Sequence, residues 1–153
     1  MHGPSPRRLV FETIESLRLV ASCQSNEAPT DAEWDAWLAA VKALGRTVSE
    51  FRLLVLTEGG RPTKEQRDRL LEAKRAGERA KGKALSEPRT ALVSSAAGER
   101  FLVSVLVFMN PAIRCFAPSE IEAAYAHLRL TDPTERQLAD AAVSRLRAML
   151  AAR

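Results

Sequence analysis

Apolar positions recur with two different periods along this chain, and the switches between them mark the elements. After residues 1–8, a proline-punctuated start that reads as a flexible tail, Leu9–Cys23 reads as two short strands in which Leu17, Leu19 and Ala21 alternate with Arg18, Val20 and Ser22. A period of two belongs to a strand with one buried face. The hairpin turn is expected near Glu15-Ser16, although the Asn-Gly type of turn is missing. Pro29-Thr30-Asp31-Ala32-Glu33 then opens a helix, because the Thr30 hydroxyl and the Glu33 carboxylate can form a reciprocal capping box. Trp34, Trp37, Leu38, Val41 and Leu44 follow at helical spacing, which assigns both tryptophans to the core rather than to a ligand cage.

The most informative stretch is Phe51–Gly60, where a nearly unbroken apolar run stops at Gly59-Gly60 and restarts at Arg61-Pro62-Thr63 as a charged helix. That is a strand, a tight loop and a helix start, the unit of α/β sheets, and the two-sided apolarity of residues 51–57 predicts a central strand covered on both faces. The second helix is expected to start at a capping box of Thr63 with Gln66 and to run to about Ala76, with Gly77–Glu87 as a polar connector. Thr90–Ser94 is the fourth strand. Phe101–Met109 has β-branched residues that favour a strand, but its length and all-round apolarity suit a buried helix, and we read it as the crossover helix to a strand at Ile113–Phe116. A Ser119/Glu122 capping box is expected to launch a helix through Tyr125 and Leu128. Asp132-Pro133-Thr134-Glu135 starts the last helix, with Leu138, Ala142, Leu146 and Met149/Leu150 as its buried stripe.

These elements predict a single α/β domain over residues 9–153: a mixed, mostly parallel sheet with helices packed on it, an N-terminal β-hairpin and an additional C-terminal helix. At 153 residues such a domain buries about 68–70% of its unfolded surface, enough for a self-sufficient core. The chain is 46% apolar and 27% charged, which argues against wholesale disorder. No stretch approaches the roughly 20 apolar residues of a membrane helix, and the expectation is a soluble, cytoplasmic protein. The net charge of +4 is concentrated: residues 61–89 hold ten Lys and Arg against five Asp and Glu. No aromatic side chain interrupts that run to stack on bases, so it reads as a solvated face and not as a nucleic-acid site.

The chemistry offered is sparse. Cys23 and Cys115 lie singly in apolar stretches and read as buried thiols, with neither a disulfide nor a metal site implied. The glycine pair could cradle a phosphate, but the phosphate-binding loop motifs are missing. His2 and His127 have no evident nucleophile or carboxylate partner, and Glu12, Glu15, Glu58 and Glu99 are scattered. No residue set fixes a reaction or a cofactor.

The chain resembles the SpoIIAA-like, or STAS-like, family of small bacterial α/β domains over nearly its whole length. The resemblance is carried by Pro29–Trp34, by Leu54–Gly60 with Pro62-Thr63 and Gln66-Arg67, and by Asn110–Glu120. It implies a non-enzymatic regulatory or scaffolding protein that binds other proteins, in some relatives switched by serine or threonine phosphorylation. The candidate docking face comprises Thr57, Glu58, Gly59, Gly60, Arg61 and Arg67, with Phe108, Met109, Asn110 and Phe116 as its apolar part. The partner is another protein, and such a patch would serve a homodimer as well. Thr63 and Thr57 are the candidate phosphoacceptors in the loop that corresponds to the phosphorylated serine turn of anti-anti-sigma factors, although Thr63 is also accounted for by capping alone. The alternative function is a carrier of a small apolar ligand such as a lipid, in a cavity lined by Phe101–Met109.

Overall fold

The computed structural model describes residues 6–48, 50–81, 88–95 and 112–152. Strands β1 (Leu9–Ile14) and β2 (Leu19–Gln24) lead into helix α1 (Asp31–Thr47), then β3 (Arg52–Thr57), α2 (Lys64–Lys81), β4 (Arg89–Ser94) and β5 (Ile113–Phe116), with α3 (Ile121–His127) and α4 (Pro133–Ala151) at the end. The five strands lie side by side in chain order. β1 pairs with β2 antiparallel, and every later neighbour is parallel. The hairpin turns through a single 3-10 turn at Glu15–Leu17, and Arg18, at φ 50°, takes the left-handed position a glycine would normally fill.

Sequential order decides where the helices go. Each parallel crossover steps in the same direction across the sheet, and right-handed connections then fall on one face. Accordingly Trp34, Trp37, Leu38, Val41 and Leu44 of α1, with Leu70 and Ala73 of α2, pack on Leu9, Val20 and Leu53. Residues of α3 and α4 pack on the opposite face, against Val10, Leu19, Ala21, Cys23, Leu54, Leu56, Ala91 and Val93. β3 is the middle strand, sandwiched as its apolar run predicts. β2 departs from the one-sided alternation expected of it: Val20 is 1% exposed and Ser22 is buried as well, because both faces of the strand are covered. The Ser22 hydroxyl donates to the Leu54 carbonyl at 3.4 Å.

Local chemistry sets the helix starts. The Thr30/Glu33 and Asp132/Glu135 boxes both form. Glu33 does more than cap, since its carboxylate accepts the N–H groups of Thr30, Arg8 and Leu9 at 2.9, 2.9 and 3.0 Å and so ties the chain ahead of β1 to α1. Burial alone would raise this carboxyl, but those N–H groups outweigh it and hold Glu33 below the usual carboxylate range. A depressed folded-state pKa stabilises the fold above the unfolded value of about 4.3, and the contribution is lost as pH falls through the folded one. Glu33→Gln should therefore lower stability at pH 7 by about 1 kcal/mol and flatten its decline below about pH 4, read from urea melts across pH.

Several expectations are corrected. α2 does not stop before Gly77 but continues to Lys81, because one glycine costs only about 1 kcal/mol in a helix. Ser119 does not cap α3: Pro118–Glu120 form a 3-10 turn in which the Glu120 carboxylate accepts the Ala117 N–H at 2.9 Å. On α4, Leu138 and Met149 are 43% and 38% exposed, and the buried stripe is Ala139, Ala142, Val143 and Leu146. Cys115 is half-buried where a buried thiol was expected. The helix expected at Phe101–Met109, the connector residues 82–87 and the docking residues Phe108, Met109 and Asn110 lie outside the described residues. Among the described residues no helix is long and apolar enough to cross a membrane.

Candidate functional site at the carboxyl edge of the sheet

The loop after β3 is built from short hydrogen bonds rather than left loose. Thr57 is buried, and its hydroxyl accepts the Gly59 N–H at 3.2 Å and donates to the Gly60 carbonyl at 3.3 Å. Glu58 N–H reaches the Gln24 carbonyl and Gly60 N–H the Ser25 carbonyl, each at 2.9 Å, fastening the loop to the one that follows β2. Gly59 has φ 127°, a conformation closed to most side chains. At the far end, the Thr63 hydroxyl accepts the Gln66 N–H at 3.2 Å while the Gln66 carboxamide oxygen accepts the Thr63 N–H at 3.0 Å.

Gln66 holds this edge together. It is 1% exposed, its amide donates to the Pro29 carbonyl at 2.9 Å and to the Asp31 carboxylate at 3.1 Å, and its own carbonyl accepts the Trp34 indole N–H at 2.9 Å. The starts of α1 and α2 are thereby joined. The capping box was readable from the sequence, but the reach to Pro29 joins residues 37 apart and carries no local signal.

What the braced loop presents is charge. Glu58, Arg61, Thr63, Lys64 and Arg67 are exposed. Arg69 pairs with Asp35 at 3.0 Å and lies 3.8 Å from Asp31, whereas Arg61, Lys64 and Arg67 form no ion pair among the described residues. Of the two candidate phosphoacceptors, Thr63 is the exposed one. Phe116 ends β5 on the same edge, but its side chain is half-buried in the layer of α3 and α4, with its ring 5.9 Å from the His127 ring. The imidazole of His127 lies 2.8 Å from the Ala112 carbonyl oxygen, and burial pushes its pKa down.

Behind the loop the last positions of three strands form a buried polar row, Gln24, Thr57 and Ser94, paired in register. On the α4 side of the same edge there is a recess of about 180 Å³, walled by Cys23, Leu56, Val93 and Leu150 with Glu58 and Arg147 among its lining. An open groove of about 650 Å³ adjoins it and shares Glu58, Arg147 and Leu150. Burial pushes the Cys23 thiol up to about 11, with Arg147 acting in the opposite direction and Glu58 in the same one. The thiol is therefore protonated at neutral pH and packs as an apolar group. Nothing in the sequence pointed to Arg147, which sits near the end of α4 and meets the edge only through folding. Among the described residues no cluster of three or more His, Cys, Asp or Glu side chains could hold a metal ion.

In comparisons with known proteins, no protein-family model, no curated protein and no solved structure matches the chain.

Proposed function

We propose that the chain is a non-catalytic binding module of STAS-like type, a bacterial regulatory or scaffolding protein that docks an acidic protein surface on the loop between β3 and α2. The single observation that carries this reading is the set of three cations without an ion pair among the described residues, Arg61, Lys64 and Arg67, held at the start of α2 by a hydrogen-bonded loop. Cations are unfavourable at the positive end of a helix dipole, so their placement is not explained by folding, whereas an anionic partner surface would relieve them. The mostly parallel sheet with its N-terminal hairpin and C-terminal helix is the architecture that the family resemblance implies. The alternative of a lipid carrier is not taken up, because the cavity it requires would be lined by Phe101–Met109, which lie outside the described residues.

The double variant Arg61→Glu/Arg67→Glu tests the docking face. Exposed charges contribute little to folding, so its melting temperature should stay within about 2 °C of the wild type. Charge reversal at an interface slows association and alters its salt dependence, so acidic proteins retained from a lysate of the source cells by the immobilised wild type should be retained roughly tenfold less. Equal retention by the variant would remove this face from consideration.

A further inference from the structure

The recess at the carboxyl ends of β2, β3 and β4 lies on the face of the sheet that α4 covers, opposite α2, and shares Thr57 and Glu58 with the docking loop. Open α/β sheets bind ligands outside the carboxyl ends of their strands. Here the strand order never reverses, so no crevice forms between neighbouring strands. The concavity arises instead beside the end of α4, which packs on β1 and β2 and brings Arg147 and Leu150 to the ends of β2, β3 and β4. We propose that this recess binds a small organic carboxylate, with the apolar body against Leu56, Val93 and Leu150 and the carboxylate on Arg147.

Three observations carry it. The volume of about 180 Å³ equals that of about six water molecules, which suits a short-chain acid. The wall is mixed: Leu56, Val93, Pro118, Leu150 and the uncharged Cys23 thiol offer apolar surface, while Gln24, Thr57 and Ser95 line the rest, so a ligand with both an apolar body and a polar head matches it better than one with either alone. The guanidinium of Arg147 has no ion pair among the described residues although it lines the recess beside Glu58, and its charge is felt by the Cys23 thiol inside. An unpaired guanidinium beside the apolar surface of Leu56, Val93 and Leu150 is matched by a carboxylate, whose two oxygens it can take in a fork. A phosphate dianion would ask for more donors than one arginine supplies. Glu58, on the same rim, works against any anion and sets a sign that the test can use.

The probe is hexanoate, with hexan-1-ol and hexylammonium as neutral and cationic counterparts, followed at constant ionic strength in proton–nitrogen correlation spectra of the full chain. Hexanoate should shift the amides of Cys23, Leu56, Val93 and Leu150 saturably, with a Kd of about 1 mM. Arg147→Gln should weaken it at least fivefold and leave hexan-1-ol unaffected, while Glu58→Gln should tighten it two- to threefold. Arg46→Gln, at the far end of α1, should change nothing. The proposal is overturned if no saturable shift occurs up to 20 mM hexanoate, if the shifts map elsewhere, if Arg147→Gln binds like Arg46→Gln, or if hexylammonium binds the recess as well as hexanoate. Glu58 belongs to both sites, but Arg147 and the amides of Cys23, Val93 and Leu150 lie outside the docking loop, so loss of hexanoate binding and loss of partner retention are separate results.

Discussion

Gly60→Ala should destabilise the protein by about 3 kcal/mol, the upper end of the usual cost of adding a methyl group to a packed site. A Cβ at this position would lie 2.5 Å from the Ser25 carbonyl oxygen and closer still to that of Glu27. Both obstacles are backbone, and neither can rotate away as a side chain would. The strand ends on either side cannot give easily, since Gly60 N–H is bonded to the Ser25 carbonyl at 2.9 Å and the next residues are drawn in by the Gln66 amide on Pro29. In a domain of this size 1 kcal/mol corresponds to about 2–4 °C in melting temperature, so a fall of about 6–12 °C is expected. Gly77→Ala supplies a control of opposite sign: its added Cβ meets nothing within 4 Å in the C-terminal part of α2, and a gain of about 0.5–1 kcal/mol follows from helix propensity. A Gly60→Ala protein as stable as wild type in thermal melts would mean that the two loops are not packed together as described.

Leu54→Ala should be comparably damaging, at about 3–4 kcal/mol. Leu54 is 0% exposed, in the middle of the middle strand, and belongs to the cluster that α3 and α4 cover. Removing its side chain leaves a cavity that flanking strands on both sides prevent from collapsing, which puts the cost in the upper part of the range for leucine truncation. Val55, the next residue, faces the other layer and is only half-buried; Val55→Ala should cost about 1 kcal/mol. Urea denaturation of the pair measures the difference. Equal and small losses would contradict a sheet covered on both faces.

The parts of this fold that were readable from the sequence are those whose signal is local. The run at residues 51–67 combines a two-sided apolar segment, a glycine break and a capping box within a few residues, and it folded into strand, loop and helix as expected. Thr30/Glu33 and Asp132/Glu135 are local in the same sense. Where neighbours in space decide, the pattern misled. The alternation in β2 implied one buried face, but its position second in a covered sheet buries Val20 and Ser22 too. On α4 the long side chain of Leu138 outweighed Ala139 in the reading, although the small residues are what let the helix lie close on the sheet. Gly77 reads locally as a stop, yet its penalty is too small to end a helix against packing and hydrogen bonding. The loop between β3 and α2 was legible because its glycines and charges adjoin. The recess was not, since Cys23, Val93 and Arg147 meet from three distant parts of the chain.

The account rests on the carboxyl edge of the sheet being the edge that meets a partner. The most direct test is a photo-crosslinking amino acid in place of Arg61, beside α2 at that edge, or of Arg46, in the last turn of α1 at the opposite edge. Irradiation in the source cells should join the Arg61-substituted protein to a discrete acidic partner and leave the Arg46-substituted protein unlinked. Crosslinking at position 46 as strong as at 61, or none at 61, would contradict it.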